Sequence, residues 1–256
     1  MYRSWKAQLR VLTALTIREI QAQNSSLDYG YAWALIDVCI SIAAITVLKV
    51  FIKALSPAGM PPVLFLVSGI LPWLTFSTTA TAVEAAITRG KRLMLLPNIT
   101  PLDLVLAKSL QIFCTYGSVF LGVAIAVSYL EHVGPPRSLP GVVLLYIYSW
   151  VFGIAYGLVT MPLTRVLPPA GKIIGVVWRF GLLFSGVFFV ITMFPQYTWG
   201  YLDWNPMLHV EELMRTYWFS AYQTPVGSPL YLAEWLGAVG LLGLSLERYV
   251  RHRVPA

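Results

Sequence analysis

Long stretches without a single charge decide what this chain can fold into. Residues 54–83, 109–130, 138–164 and 180–202 contain no Asp, Glu, Lys or Arg, and 216–233 and 235–246 form a shorter pair. A hydrocarbon core of ~30 Å takes about 20 apolar residues of helix to cross, and four of these runs reach that length. Helices of a soluble domain need a polar face, which such runs do not supply. The 18 Lys and Arg and 11 Asp and Glu are clumped between the runs. The pattern specifies an all-α polytopic membrane protein, one domain over residues 1–256. Six transmembrane helices are expected at 31–52, 62–84, 104–129, 141–164, 172–194 and 229–247. Asp37 and Glu234 lie inside the first and last of these.

The polar connections are too short for a soluble catalytic domain. A net charge of +7 invites a nucleic-acid reading, but its distribution speaks of membrane orientation. With the N-terminus in the cytoplasm, thirteen cations fall inside, among them Arg3, Lys6, Arg10, Arg18, Arg89, Lys91, Arg92, Lys108 and the C-terminal arginines. Lys49, Lys53, Arg137 and Arg215 fall outside. The positive-inside rule therefore puts both termini in the cytoplasm. Cys39 and Cys114 sit in apolar segments and are expected to be small buried hydrophobes, with no disulfide framework or metal site. Arg3, Lys6, Arg10, Arg18 and Glu19 interrupt any signal-peptide core in the first thirty residues.

Residues 1–28 are expected to hold a cytoplasmic amphipathic helix at the membrane surface. Within 3–20, Trp5, Leu9, Leu12, Thr16 and Ile20 recur at helical spacing beside Arg3, Lys6 and Arg10. An extension that only sets topology is the competing reading.

Residues 195–228, between the fifth and sixth spans, are too long for a hairpin loop and rich in aromatics: Trp199, Tyr201, Trp204, Tyr217, Trp218, Phe219 and Tyr222. This is the composition of an interfacial belt. Asn205-Pro206 reads as an N-cap followed by proline at the first helical position. The helix it opens, expected to run to about Tyr222, is too short to span comfortably. It is read as a re-entrant or interfacial helix on the periplasmic side. His209, Glu212 and Thr216 share one of its faces, and Glu211 and Arg215 form an i,i+4 pair on another. Ionisable residues at membrane depth mark pathways or polar networks, so His209, Glu211, Glu212 and Arg215 are candidate site residues. On the surface, the Glu211–Arg215 pair would contribute only ~0.3–0.5 kcal/mol. HVEEL is not a zinc-ligand spacing, and no metal is expected.

Arg179, inside the fifth span, either snorkels to the cytoplasmic face or lines an anionic route. Asp37 and Glu84 are possible partners. Gly153, Gly157, Gly175, Gly181 and Gly186 permit close helix approach. The connection ITRGKRLMLLPNITPLDLV places Leu93, Met94 and Leu95 beside Arg89, Lys91 and Arg92. An apolar patch with a basic rim marks a partner site; leucines dipping into the inner leaflet are the alternative.

These features in this order resemble the membrane subunit of ABC-2-type exporters, closest to the polysaccharide-export branch of KpsM-like capsule and O-antigen exporters. The resemblance covers residues 15–250. It rests on IREIQAQNSSLDYGYAWALID, SGILPWLTF, LPNITPLDLVLAKSL, SGVFFVITMFP and, most specifically, NPMLHVEELMR. Two departures stand out: Gln21 and Gln23 where the family often has a basic residue, and Val38 where it often has proline. The resemblance implies a single ABC-2 transmembrane domain working as a homodimer with two copies of a KpsT-like cytoplasmic ATP-binding subunit. The chain has no G-x-x-x-x-G-K-[ST], so ATP and Mg would be bound by that partner and no cofactor by this chain. Arg89, Lys91, Arg92, Leu93, Met94 and Leu95 would form the coupling helix. The implied cargo is lipid-linked, anionic capsular polysaccharide, with a KpsE-like periplasm-spanning co-polymerase as a further partner, at the bacterial inner membrane. Two alternatives stand beside it. One is an ABC-2 permease for a drug or lipid. The other is a membrane-embedded transferase using His209 and Glu212 as acid and base on a lipid-linked sugar.

Overall fold

The computed structural model describes residues 5–25, 36, 40, 60–90, 99–130, 132–167 and 169–253. Among them all regular structure is helical. The α-helices are α1 (Trp5–Ser25), α2 (Pro62–Arg89), α3 (Pro101–Leu130), α4 (Leu139–Val166), α5 (Ala170–Phe184), α6 (Trp199–Leu202), α7 (Pro206–Trp218) and α8 (Pro229–Arg253). Four of them, α2, α3, α4 and α8, are long and apolar enough to cross a membrane. They begin within three residues of the expected second, third, fourth and sixth spans. All of the expected first span but Ile36 and Ile40, including Asp37 and Cys39, lies outside the described residues, as do Lys91, Arg92, Leu93, Met94 and Leu95.

Several helices start on a polar cap followed closely by proline, which presets the first turn without wasting a donor. Thr100 precedes Pro101, and its N–H and Oγ1 both donate to Asp103 Oδ2 at 2.9 and 2.7 Å. Asp103 N–H donates back to Thr100 Oγ1 at 3.3 Å, closing a capping box. Ser138 caps α4 by accepting from Gly141 N–H, with Pro140 in the first turn. Ser228 stands before Pro229 and accepts from Tyr231 N–H.

The central helix is α2, covered by α3 and α4 along its length and by α7 at one end. Contact with α4 is intimate because two glycines remove side chains from the crossing. A Cβ on Gly153 would lie 2.6 Å from Phe76 O, and one on Gly157 2.8 Å from Ala80 O. Phe76 stacks on Phe152 and meets Trp73, Tyr156 and Trp178 edge-on, so α5 joins the pair through Trp178. Gly175 faces open space and serves no such approach. Cys114 is exposed on α3, correcting the expectation that it is buried: its side of α3 is left uncovered by α4.

The fifth expected span, 172–194, differs from the observed structure. The α5 helix stops at Phe184 after 15 residues, about 22 Å at 1.5 Å per residue, short of a ~30 Å core. Gly186 takes φ +91°, a conformation glycine adopts readily. The chain then turns, with Phe189 N–H donating to Gly186 O at 3.4 Å, and reaches a 3₁₀ turn at Ile191–Met193. Hydrophobicity alone continued the span because SGVFFVITMF is apolar, yet its backbone bonds go elsewhere.

The N-terminal helix α1 packs on the start of α3 through Leu15, against Leu104 and Ala107, with Val11 and Ile99 alongside. The expected stripe holds at Thr16, which is buried beside Leu15, and fails at Ile20, which is exposed. Lys108 Nζ of α3 reaches Glu19 Oε2 at 3.2 Å, so α1 is held against the bundle by tertiary contact.

Candidate functional site

The α7 helix begins where the sequence places it. Asn205 has extended backbone, and its Oδ1 accepts from Met207 N–H at 3.0 Å, while its Nδ2 donates to Phe184 O at 3.0 Å. One amide thus starts α7 and satisfies a carbonyl at the end of α5. The helix runs from Pro206 to Trp218, four residues short of the expected Tyr222, and buries nearly its whole circumference. The aromatics around it divide. Trp218, Phe219 and Tyr222 enter the core, whereas Tyr201 and Trp204 stay exposed.

At the centre of this end lies Arg215, with no exposed surface. Its Nη1 donates to Phe189 O at 2.8 Å, and its Nη2 to Gly186 O at 2.7 Å and Val187 O at 3.1 Å. These are carbonyls that the break after α5 leaves without helical donors. Hydrogen bonds from a charged donor are stronger than neutral ones. Arg215 adds to the long bond that Gly186 O accepts from Phe189 N–H at 3.4 Å, and it pairs the other two carbonyls. The guanidinium carbon also stands 4.0 Å from the centroid of the Phe65 ring, within cation–π range. Gly69, one turn further along α2, completes the seat. A Cβ there would come within 3.0 Å of Arg215 Nη2 and 3.2 Å of Glu211 Oε2.

The carboxylates play unequal parts. Glu212 Oε1 accepts from Ile191 N–H at 2.9 Å, and Oε2 accepts from the Tyr222 hydroxyl. Its Oε1 lies 3.9 Å from Arg215 Nη1, the closer ion pair, while the i,i+4 partner Glu211 that spacing suggests acts on Arg215 from beyond 4 Å. Both oxygens of Glu211 are buried with no hydrogen-bond donor among the described residues. A carboxylate in that setting is costly.

His209 is buried apart from this cluster. Its Nε2 lies 2.7 Å from Asp203 O and 2.9 Å from Asp203 Oδ1, and Nδ1 accepts from Ser228 N–H at 3.3 Å. The ring also packs 4.5 Å from that of Tyr231. His209 therefore ties α7 to the 203–205 turn and to the start of α8, with both nitrogens engaged. Glu212, its expected companion on the helix face, belongs to the Arg215 cluster instead.

Arg179 is not brought to the site. It is exposed on α5, and among the described residues no carboxylate lies within 4 Å of it. Glu84 meets the Thr160 hydroxyl. No group of three or more His, Cys, Asp and Glu among the described residues could hold a metal ion. The arrangement is a brace: one buried cation and one buried carboxylate supply the donors and acceptors that the broken segment 186–191 lacks. Sequence reasoning missed Phe65, Gly69, Asp203 and Ser228, because each reaches the brace or His209 only through the fold. Tyr222 was recognised only as an aromatic, not as a hydroxyl donor.

No family model matches the chain. Relatives match it nearly end to end. The polysialic acid transport protein KpsM of Escherichia coli is 23% identical over 244 residues, covering 95% of each chain. The capsule polysaccharide export inner-membrane protein CtrC of Neisseria meningitidis serogroup B is 24% identical over 250 residues, covering 96% of this chain and 92% of that relative. BexB of Haemophilus influenzae, named likewise, is 22% identical over 215 residues, covering 83% and 80%. A chain with four membrane-length helices among its described residues is thus similar, over almost its full extent, to inner-membrane proteins of capsule polysaccharide export.

Proposed function

We propose that this chain is the permease subunit of an ATP-driven exporter that moves lipid-linked, anionic capsular polysaccharide across the bacterial inner membrane. The observation that carries the reading is similarity along about 95% of both chains, which a shared apolar segment would not produce. In this reading two copies form the membrane passage, and two copies of a separate cytoplasmic ATP-binding subunit drive it. Arg89, Lys91, Arg92, Leu93, Met94 and Leu95 form the docking element. Its sequence supports that role: a basic cluster stands beside Leu93, Met94 and Leu95 in the connection that follows Arg89, the last residue of α2. The brace lies at the other end of α2, where it holds the non-helical segment 186–191 in place while helices move. Both termini are cytoplasmic, and a periplasm-spanning co-polymerase receives the polymer.

The geometry of His209 favours transport over a transferase. Its imidazole is 3% exposed, and both nitrogens are engaged, which leaves no free base for a sugar substrate. Deletion of the chain in its native host tests the reading. Polymer made to full length but trapped in the cytoplasm is the expected result; loss of polymer synthesis would overturn it. Purification of the tagged chain in mild detergent is expected to retain a P-loop ATPase, lost when Leu93, Met94 and Leu95 are replaced by Asp.

A further inference from the structure

Two cavities meet at one strip of backbone at the brace end of the bundle. Arg137 N–H donates to Trp218 O at 3.3 Å and Ser138 N–H to Tyr217 O at 2.9 Å, which clamps the α3–α4 connection against the end of α7. On one side of the strip, an apolar groove of about 650 Å³ runs between α3 and α4. Leu121, Ile125 and Val143 form its walls, Tyr146 and Trp218 its floor, and Pro136 its mouth. It follows α3 from Phe113 to Ser128, about 22 Å, most of the depth of a hydrocarbon core. On the other side is a polar pocket of about 440 Å³. Arg137, Tyr217 and Gln223 line it, and among the described residues none of these three side chains has a hydrogen-bond or ion-pair partner. Consecutive residues serve the two cavities: Pro136 and Trp218 the groove, Arg137 and Tyr217 the pocket. Consecutive Cα atoms are 3.8 Å apart, so the apolar slot ends beside an unengaged cation, phenol and amide.

We propose that this juxtaposition is a binding site for one anionic phospholipid of the surrounding leaflet. An acyl chain lies in the groove along α3, and the phosphate and glycerol headgroup turn over the strip to Arg137, Tyr217 and Gln223. Charge complementarity selects the occupant. An apolar helix would fill the slot but leave the Arg137 guanidinium without an anion. A zwitterionic lipid would offer its phosphate already compensated by its own headgroup cation, whereas an anionic lipid offers an uncompensated charge. The site is independent of the export reading, since it needs only a bilayer. Through Thr216, whose Oγ1 donates to Glu212 O at 3.1 Å and accepts from Thr224 N–H at 3.1 Å, the pocket wall is continuous with the brace.

The test is retention of phosphatidylglycerol against phosphatidylcholine of the same acyl chains, measured by native mass spectrometry on the full chain with whatever subunits accompany it. The wild-type protein is expected to favour phosphatidylglycerol about fivefold, the size of one cation acting on an anionic lipid surface. Arg137→Gln is expected to remove that preference while keeping lipid bound. Leu121→Trp and Val143→Trp, at exposed positions that tolerate bulk, are expected to expel both lipids. Equal retention of the two lipids by the wild-type protein would overturn the proposal, as would unchanged preference in Arg137→Gln. A Leu121→Cys variant that forms a disulfide between two copies would assign the groove to the partner copy instead. Retained phosphatidylglycerol combined with blocked export in Leu121→Trp would assign it to the lipid anchor of the cargo.

Discussion

The two ends of the bundle each hold a helix in place with oppositely charged side chains, α7 against α2 at one and α1 against α3 at the other, and they do so by different physics. At the Phe65 end, α7 is fastened by Arg215 and Glu212, both without exposed surface. About 32 Å away along α2, beyond Ala86, α1 is fastened by Leu15 and a half-exposed Lys108–Glu19 pair at 3.2 Å. In the first case the charges are desolvated, and what compensates them is chiefly backbone: four of the contacts are with Gly186 O, Val187 O, Phe189 O and Ile191 N–H. In the second, water competes for both partners. The same residue types are therefore indispensable at one end and nearly neutral at the other.

The contrast breaks most visibly at Arg215. Arg215→Met removes the donors for three carbonyls and leaves Glu212 buried without its counter-charge, so a loss of about 3–5 kcal/mol is expected. A thermal-unfolding series on the detergent-solubilised chain would register this as a collapse of the main transition. An unchanged melting temperature would mean the three carbonyls find other donors.

Glu212→Ala comes next. It strips the acceptor from Ile191 N–H and the Tyr222 hydroxyl, an expected cost of about 1–3 kcal/mol. Proteolysis between Gly186 and Met193 should rise in the same variant, since that segment loses the Ile191 N–H bond that ties the 3₁₀ turn to α7. A stable variant whose 186–193 segment stays protected would place the tie elsewhere.

At the opposite end, Lys108→Gln is expected to cost no more than about 1 kcal/mol, and the difference should fade as salt is raised. A larger, salt-insensitive loss would show that α1 depends on that pair as α7 depends on Arg215.

The smallest effect is the sharpest. Glu211→Gln keeps the shape of a side chain whose oxygens have no donors among the described residues, and removes a charge that burial makes costly. It is expected to be at least as stable as the parent in the same melting series. A clear loss would assign Glu211, rather than Glu212, as the carboxylate that holds Arg215.

Much of this was legible in the residues. Charge-free runs located α2, α3, α4 and α8, because a bilayer-crossing helix must keep charge out of its interior. The Asn205-Pro206 start of α7 was equally legible, since a cap and a preset φ act within three residues. The end of α5 was not. Gly186 looked like a packing glycine, and only the approach of Arg215, 29 residues later, converts it into a turn. The pairing of Arg215 with backbone rather than with Glu211 was hidden for the same reason: helical spacing says which side chains can meet, not what meets them from outside the helix.

By itself, then, the sequence determined that the chain is a helical membrane protein, where its long helices begin, and which exporters it resembles. The first two follow from composition, periodicity and capping, which act over a few residues or one turn, and the resemblance rests on motifs such as NPMLHVEELMR. The tertiary structure alone decided that the fifth apolar run is a short helix and a braced loop. It also decided that Arg215 and Glu212 serve the backbone, and that His209 is engaged on both nitrogens. Each depends on groups far apart in the chain coming within 3 Å or so, where desolvation makes every unpaired donor or acceptor costly.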